Sequence, residues 1–293
     1  MKKVLFTGTG GKGGGWHMRA VQMARQRPEW RAQAHATYDD IMAADVVVLV
    51  KRISSKIHDA LVRAGRPVIY DALDFWRQPH DADGIRTPEQ ARDRFSYHFK
   101  GIPHLRHIIC VTKAMAEDLQ PMGIPTSVIY HHFDPRIQKR PRGGIIRVVG
   151  YEGRGAYIEP LQSIIGRQCR SLGLDFRLIA PTTLDDDMPI NSVDAVIAAR
   201  AGTHASWLSR RWKSNVKAAN AYARDCPLVA WPESAYLETA PQALFFSDTL
   251  GLSIVLQKLR DQPDQCYLPE NRRALFDIRT LADQYEDLIE SVQ

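Results

Sequence analysis

One segment decides how the chain is interpreted: DAVIAARAGTHASWLSRRWKSNVKAANAYARDCPLVAWPESAYLE, residues Asp194–Glu238. It contains, in order, an apolar strand, a basic loop, a helix and a second apolar strand, predicted over Ala195–Ala199, Ser209–Lys213, Ser214–Arg224 and Pro227–Trp231. Ser214 or Asn215 is placed to cap the helix. Positive charge that leads into a helix N-terminus between two buried strands is how α/β proteins bind phosphate. The segment therefore predicts either a phosphate site or a well-packed piece of scaffold.

Length and composition are those of a globular protein with a basic surface. The chain has 293 residues, 44% of them hydrophobic and 25% charged, which fits one large domain or two medium ones. Its net charge of +6 and pI of about 9.2 favour an anionic partner such as a nucleotide, a nucleic acid, an anionic glycan or a membrane surface. A solvated basic face without a partner is the alternative that charge alone leaves open.

Cysteine usage and hydropathy indicate a cytoplasmic protein. The four cysteines, Cys110, Cys169, Cys226 and Cys266, form no CxxC motif and no cluster with histidine, so no metal site is predicted. Apolar neighbours suggest that Cys110 and Cys226 are reduced core residues. No apolar run is long enough for a signal peptide or a membrane span. We interpret Asp185–Asp187 as a solvated loop and not as a metal cluster.

The first half of the chain alternates strands with helices. A strand over Lys3–Thr7 leads into the glycine loop Gly8–Gly15 and a helix from about Trp16 to Gln26, the first unit of a Rossmann-like fold. Four further strands are predicted over Asp45–Val50, Pro67–Tyr70, Arg106–Val111 and Ser127–Tyr130. Because these strands are continuous apolar runs, they indicate a parallel sheet that is covered on both faces.

A break in this pattern divides the chain into two domains. Asp134–Gly144 is basic, contains proline and glycine, and has no hydrophobic period, as expected of a linker. A second series of strands and helices begins at Ile145 and includes the opening segment. We therefore predict one domain over residues 1–138, a second over 139–270, and C-terminal helices over 271–293 that can pack back on the first domain.

Four motifs resemble those of the GT-B glycosyltransferases, particularly the large retaining group called family 4. They are HIICVTKAMAEDL (His107–Leu119), GIPTSVIYHHFDP (Gly123–Pro135), IIRVVGYEGRGAYIEPL (Ile145–Leu161) and the opening segment itself. The resemblance implies two Rossmann-like α/β domains that face each other across a cleft. It also implies transfer of a sugar from a nucleotide diphosphate sugar to an acceptor hydroxyl.

The donor site that this resemblance implies comprises Gly150, Arg154, Arg211, Lys213, Lys217 and Asn220. Gly150 matches a glycine of the family's second domain, and Arg154 stands near its lysine–glycine pair as a phosphate contact. Lys217 matches the lysine of the later motif. Asn220 stands where a ribose-binding glutamate is expected, and its amide can still bond vicinal hydroxyls. The basic loop would neutralise the diphosphate, with a solvated loop as the alternative.

The acceptor side is predicted from the glycine loop and two nearby side chains. Six glycines in eight residues suit a close approach of backbone to a ligand, and we assign Gly10, Gly11, Lys12, Gly13 and Gly14 to this side. A flexible turn is the alternative. His17 follows the loop, and Asp71 stands at the rim where open α/β sheets bind ligands. We predict catalytic roles for both. The alternatives are that His17 is a surface histidine and that Asp71 is an aspartate of a turn.

The function predicted on this basis is that of a metal-independent glycosyltransferase. Basic side chains can replace a divalent cation, so no cofactor is expected beyond the nucleotide diphosphate sugar that serves as donor. The acceptor is anionic, either a cell-surface glycan or lipid at the inner membrane face, or modified DNA. No stable protein partner is predicted. The family's upstream glutamate is absent, and Trp212 stands in its place, so a non-catalytic protein that binds nucleotide sugars is the alternative.

Overall fold

The computed structural model describes residues 1–10, 14–73, 84–179 and 189–292. Within them the chain forms two parallel β-sheets, and hydrophobic clusters cover both faces of each sheet. The predicted fold class, two Rossmann-like α/β domains, is therefore confirmed. The prediction for Asp185–Asp187 lies outside the described residues, as do those for Gly11, Lys12 and Gly13 of the glycine loop.

The first sheet has the strand order β2-β1-β3-β4-β5-β6, with every neighbouring pair parallel. Its strands are β1 (Val4–Gly8), β2 (Trp30–Ala34), β3 (Val46–Val50), β4 (Val68–Asp71), β5 (Leu105–Cys110) and β6 (Thr126–Val128). Every residue of β1, β3 and β4 is buried, which explains why these strands are largely apolar in the sequence.

The second sheet has the order β8-β7-β9-β10-β11 and is also parallel. Its strands are β7 (Val148–Glu152), β8 (Asp175–Ile179), β9 (Ala195–Ala198), β10 (Leu228–Ala230) and β11 (Leu244–Phe245). In both sheets the second strand flanks the first on one side, and the third flanks it on the other. The direction of winding therefore reverses beside the first strand of each sheet, where doubly wound folds bind ligands.

The connecting helices follow the strands in the expected alternation. They are α1 (Gly14–Trp16), α2 (Tyr38–Met42), α3 (Ser55–Ala64), α4 (Pro88–Lys100), α5 (Lys113–Leu119), α6 (Glu159–Ser171), α7 (Trp207–Trp212), α8 (Val216–Arg224), α9 (Ser234–Thr239), α10 (Thr249–Asp261) and α11 (Ile278–Ser291). Helix α1 continues into a π-helical stretch, His17–Gln22. In the described part of the chain, no helix has both the length and the apolar character needed to cross a membrane.

Two elements differ from the sequence-based prediction. Trp30–Ala34 forms the edge strand β2, although its sequence, WRAQA, has no continuous apolar run. Such a strand pairs with one neighbour only and alternates buried with more exposed residues, so its signal is weak. The predicted basic loop is largely helical, because Trp207–Trp212 forms α7, in which Leu208 and Trp212 are fully buried.

Helices α7 and α11 connect the two halves of the molecule. From α7, Leu208 and Trp212 join the hydrophobic cluster of the first domain, and Trp212 packs on Phe95 with 5.5 Å between ring centroids. Helix α11 returns to the first sheet, where Tyr285 lies 5.9 Å from Phe6, ring centroid to centroid. The two domains are therefore held in one arrangement by apolar contacts far apart in sequence.

Candidate ligand cleft between the two domains

A cavity of about 310 Å³ lies between the two domains. The described residues that line it are Gly14, Gly15, Met18, Lys51, Leu73 and His131 from the first domain and Glu152, Gly153, Arg154, Tyr157, Arg200, Lys213, Ser214, Val216 and Lys217 from the second. Several of them lie within two residues of the carboxyl ends of β3, β7 and β9, next to the reversal of winding in each sheet. The cavity therefore occupies the position that parallel α/β sheets use for ligands.

The lining is strongly basic. Five cationic side chains reach it: Lys51, Arg154, Arg200, Lys213 and Lys217. Arg154 is exposed, whereas Arg200, Lys213 and Lys217 are buried. Since buried cations lose hydration, they interact more strongly with a bound anion than surface cations do. This concentration of positive charge indicates a ligand that carries several negative charges.

Lys217 is a buried cation whose pKa is shifted by its surroundings. Its Nζ lies 5.1 Å from the centroid of the Tyr151 ring, at the start of α8. Burial, together with repulsion from Arg200, lowers the pKa of Lys217 to about 8, against 10.5 for an ordinary lysine. Because burial makes the charged amine unfavourable in the absence of a ligand, Lys217 is a candidate for binding an anionic ligand.

Arg200 is held in place by a buried carboxylate. Its Nε lies 3.1 Å from Oε1 of Glu233, and both side chains are buried. Burial works against the charge, but Glu233 keeps the pKa of Arg200 raised above that of an ordinary arginine. Arg200 stands two residues after the end of β9 and lines the cavity.

The N-terminus of α8 faces the cavity without a side-chain cap. Ser214, Val216 and Lys217 line the cavity, and Asn215 occupies the cap position. The Asn215 amide bonds instead to the first domain: its Oδ1 accepts from the backbone N–H of His131 at 2.7 Å, and its Nδ2 donates to the carbonyl of the same residue at 3.3 Å. The predicted cap is therefore wrong, and the helix N-terminus offers a positive dipole end to an anion.

Lys51 and Leu73 approach the cavity in an unusual backbone conformation. Their φ angles are 61° and 54°, in the left-handed region that residues other than glycine rarely adopt. The Tyr70 hydroxyl donates to the Lys51 carbonyl at 2.7 Å, which helps to hold this turn. Backbone strain of this kind is concentrated at ligand sites, where the surrounding structure maintains it.

Asn220 does not occupy a ribose-binding position. It is buried, and its Nδ2 donates to both carboxylate oxygens of Glu152, at 3.1 and 2.8 Å. Its Oδ1 accepts from the backbone N–H of Asp134 at 3.2 Å. Both ends of the amide are thus used within the protein. The geometry therefore gives no support to the predicted direct contact with the donor, and the side chain that Asn220 holds at the cavity is Glu152.

Two other predicted donor contacts lie outside the cavity lining. Arg211 pairs with Asp118 of α5, with Nη2 to Oδ1 at 2.7 Å and Nε to Oδ2 at 2.9 Å. Gly150 lies within β7, where a Cβ would come within 2.5 Å of Val193 Cγ1 and 2.7 Å of Ile179 Cδ1. Arg211 joins the domains and Gly150 permits close packing, so neither prediction of a donor contact is supported by the geometry.

Asp71 has a structural position. It is fully buried and makes a two-point ion pair with Arg19, at 2.9 and 3.1 Å. The Tyr285 hydroxyl donates to Oδ2 at 2.5 Å, and the Leu73 N–H donates to Oδ1 at 3.2 Å. In this structure the carboxylate is enclosed by its partners and does not line the cavity, so its geometry gives no support to the predicted catalytic role of Asp71.

The glycine loop borders the cavity at its C-terminal end. Gly14 and Gly15 line the cavity, and among the described residues beyond its chain neighbours no atom lies within 4 Å of the Cβ that a side chain at Gly14 would add. Gly10 has a φ of 62°, and its Cβ would come within 2.4 Å of Ala34 Cβ, so a glycine here permits both the left-handed backbone and close packing against β2. His17 is half-buried beside the lining residues, and burial lowers its pKa. Its catalytic role stays a prediction.

Three charged side chains of the lining, Lys51, Glu152 and Arg200, are not among the predicted site residues. Each stands at, or just after, the carboxyl end of a central strand, which is the criterion that selected Asp71. Applied to every strand, this criterion would have named all three as candidates, together with residues such as Asp71 that face the core. In the described part of the chain, no group of three or more histidine, cysteine, aspartate or glutamate side chains is arranged to hold a metal ion.

No protein-family model and no curated protein sequence matches the chain. Solved structures do match. The lipopolysaccharide outer core galactosyltransferase WaaB superposes with a TM-score of 0.58 at 11% identity, over 98% of this chain and 99% of its own. The glycosyltransferase AviGT4, involved in avilamycin A biosynthesis, superposes with a TM-score of 0.56 at 13% identity, over 97% and 96%. A trehalose-6-phosphate protein from E. coli, solved with UDP-2-fluoro glucose bound, gives 0.60 at 10% identity, over 94% and 83%.

These similarities concern the fold. Identities this low carry no information about individual residues, but they extend over nearly the whole chain and both sheets. The chain therefore has the GT-B fold, and the structures it resembles are those of glycosyltransferases.

Proposed function

We propose that this protein is a glycosyltransferase that binds a nucleotide diphosphate sugar in the cleft and transfers the sugar to an acceptor hydroxyl. One observation carries the proposal: five cationic side chains and the uncapped N-terminus of α8 all face the same cavity. This cavity lies where the strand order of each sheet reverses direction, the place where such folds bind ligands. A diphosphate is the group that such a cavity suits. The similar E. coli structure holds UDP-2-fluoro glucose, which supports the same class of donor.

The cations would act on the leaving group. Negative charge accumulates on the diphosphate as the bond to the sugar breaks, and fixed positive groups stabilise it. Arg154, Arg200, Lys213 and Lys217 lie in the second domain and would surround this diphosphate. Lys51 faces them from the first domain, on the side assigned to the acceptor. Because these side chains supply the neutralising charge, we propose that transfer proceeds with EDTA present.

The acceptor is proposed only by class: a hydroxyl of a glycan, a lipid or modified DNA. Duplex binding that weakens steeply with salt would select DNA. Co-sedimentation with anionic lipid vesicles would instead select a lipid acceptor, reached by peripheral contact with the membrane. Binding of neither would favour a glycan.

The proposal is tested by nucleoside diphosphate release. UDP-, GDP-, CDP- and dTDP-sugars are incubated with the protein and with glycan, lipid and DNA acceptors. Arg154→Ala should lower the release rate roughly 100-fold, since it removes one charge from the leaving group. The matched control is Arg167→Ala, an exposed arginine on α6 outside the cavity, which should leave the rate unchanged. If a nucleotide sugar binds but no nucleoside diphosphate is released with any acceptor, the protein is not a catalyst. This result would support the alternative of a non-catalytic protein that binds nucleotide sugars.

A further inference from the structure

Glu152 is the one acidic residue among the described side chains that line the cavity. It ends β7, next to the reversal of winding, and it is half-buried. Its position is fixed by Asn220, whose amide orientation is determined at both ends: Oδ1 accepts from the Asp134 N–H, so Nδ2 must face the carboxylate. The structure thus holds a carboxylate rigidly inside a cavity that is otherwise basic.

A carboxylate at this place is unfavourable for binding a bare diphosphate. Like charges repel, and the interaction is strong where water is excluded. Burial raises the pKa of Glu152, while the Asn220 bond and the Lys217 charge oppose that rise. The Asn220 amide uses only part of the acceptor capacity of the two carboxylate oxygens. A ligand that compensates for the repulsion must therefore offer hydrogen-bond donors next to its diphosphate.

We propose that Glu152 accepts hydrogen bonds from hydroxyl groups of the bound nucleotide sugar, and that Asn220 is its positioning residue. This inference rests on the proposed function. Sugar hydroxyls are the donors that flank a diphosphate in such a ligand, on the ribose at one end and on the transferred sugar at the other. Glu152 therefore makes the cavity selective for a diphosphate that carries a polyol over a bare diphosphate.

The test compares two ligands whose affinities should move in opposite directions. Glu152→Gln is isosteric and can keep the bond from Asn220, but it loses the negative charge. It should bind inorganic pyrophosphate roughly threefold tighter, and should bind the nucleotide sugar preferred by the wild type roughly tenfold more weakly. The matched control is Glu159→Gln, an exposed carboxylate at the start of α6 outside the cavity lining, which should change neither affinity.

Glu152→Asp provides a second signature, because it keeps the charge and withdraws the carboxylate by one methylene group. It should weaken binding of the nucleotide sugar without tightening binding of pyrophosphate. If Glu152→Gln shifts both affinities in the same direction, or neither, the inference is overturned. If the wild type binds pyrophosphate but none of the UDP-, GDP-, CDP- or dTDP-sugars, the proposed function fails as well.

A third ligand identifies which hydroxyls are involved. The 2′,3′-dideoxy form of the preferred nucleoside diphosphate lacks the ribose diol. If Glu152 contacts the ribose, the wild type should lose affinity for this analogue relative to the parent, and Glu152→Gln should bind the two alike. If Glu152 instead contacts the transferred sugar, Glu152→Gln should still bind the parent nucleoside diphosphate more tightly than the dideoxy analogue, as the wild type does. The variant should, however, lose the additional affinity that the wild type has for the nucleotide sugar over the nucleoside diphosphate. If Glu152→Gln keeps both the preference for the parent over the dideoxy analogue and the preference for the nucleotide sugar over the nucleoside diphosphate, the inference is contradicted.

Discussion

At the scale of single residues, Lys217 connects the electrostatics of the cleft to a measurable pH dependence. Its folded pKa of about 8 lies below the ordinary 10.5, so ligand binding to the protonated amine should weaken as pH rises above 8. Affinity for the preferred nucleoside diphosphate should fall by up to about tenfold per pH unit above that value. Titration calorimetry between pH 7 and 9.5 measures it.

The matched variant for this prediction is Lys217→Arg, which stays charged throughout the range. Its affinity should not follow the same pH dependence, and an equal decline in both proteins would contradict the assignment. The folding stability of the ligand-free protein should change with pH in the opposite direction to the ligand affinity. Because the unfolded chain binds more protons than the folded one between about pH 8 and 10.5, Lys217 makes stability rise with pH across that window.

Arg211 permits a direct test of a corrected assignment. Since it pairs with Asp118 and does not line the cavity, Arg211→Ala should change the dissociation constant of a nucleoside diphosphate by less than about threefold. It should lower the free energy of unfolding by about 1–3 kcal/mol, because the buried Asp118 carboxylate loses its cation. Calorimetry and chemical denaturation measure the two effects. A large loss of affinity without loss of stability would restore the original donor assignment.

The sequence predicted part of the site, and the reason for its failures lies in side-chain direction. Lys217 and Arg154 lie in the cavity because both follow the carboxyl end of a strand or start a helix, positions that a pattern can locate. Asp71 satisfied the same pattern but points into the core toward Arg19. Neighbouring positions at a strand end face opposite sides, and their partners come from distant segments. Which side chain reaches the cleft was therefore beyond the sequence.

At the scale of elements, α7 joins the domains through Trp212. Its ring is fully buried against the first domain, and its Nε1 donates to Oδ2 of Asp118 at 2.8 Å. Trp212→Ala should lower the free energy of unfolding by about 3–5 kcal/mol, because it opens a cavity and removes this bond. Trp207→Ala is the control, since Trp207 is only half-buried and should cost less. Equal losses in the two variants would mean that α7 is not anchored by Trp212.

The elements that the sequence predicted best are those whose burial is complete. Strand β3 is enclosed on both faces and is apolar throughout, and β4 is apolar up to the aspartate that ends it, so both are recognisable as buried strands. Strand β2 lies at an edge, and α7 is amphipathic over less than two turns, so neither has a clear period. Helix α7 forms because the first domain buries Leu208 and Trp212, which is a tertiary effect.

At the scale of the whole molecule, α11 attaches the end of the chain to the first domain. Tyr285 donates to Asp71, and the Arg19 guanidinium lies 5.3 Å from the Tyr285 ring centroid. Tyr285→Phe should lower the free energy of unfolding by about 2 kcal/mol, since a bond to a buried charge is lost. Asp71→Asn should cost about 3–5 kcal/mol, because it leaves Arg19 buried without its counter-charge.

Denaturant unfolding measures both variants, and the ligand affinity of the folded proteins provides the check. Both variants should bind nucleoside diphosphate as the wild type does, because neither residue lines the cavity. If Asp71→Asn kept full stability and lost transfer activity alone, Asp71 would be catalytic after all.

The overall architecture could be predicted because two series of strands and helices separated by a basic linker specify two doubly wound domains. Their relative arrangement depends on contacts that no local pattern contains. Glu238, for example, accepts from the backbone N–H groups of Lys113 and Ala114 at 2.8 and 3.2 Å, and so bonds the start of α5 across 125 residues. Such contacts determine which strand ends face each other, and hence which side chains form the cleft.

The proposed function requires that the basic cleft binds the diphosphate of a nucleotide sugar. Titration calorimetry of UDP, GDP, CDP and dTDP against the wild type, Lys217→Met and Arg167→Ala tests it most directly. At least one of these ligands should bind the wild type and Arg167→Ala alike, and should bind Lys217→Met roughly tenfold more weakly or worse. Binding of none of the four to the wild type, or equal binding to all three proteins, would contradict the claim.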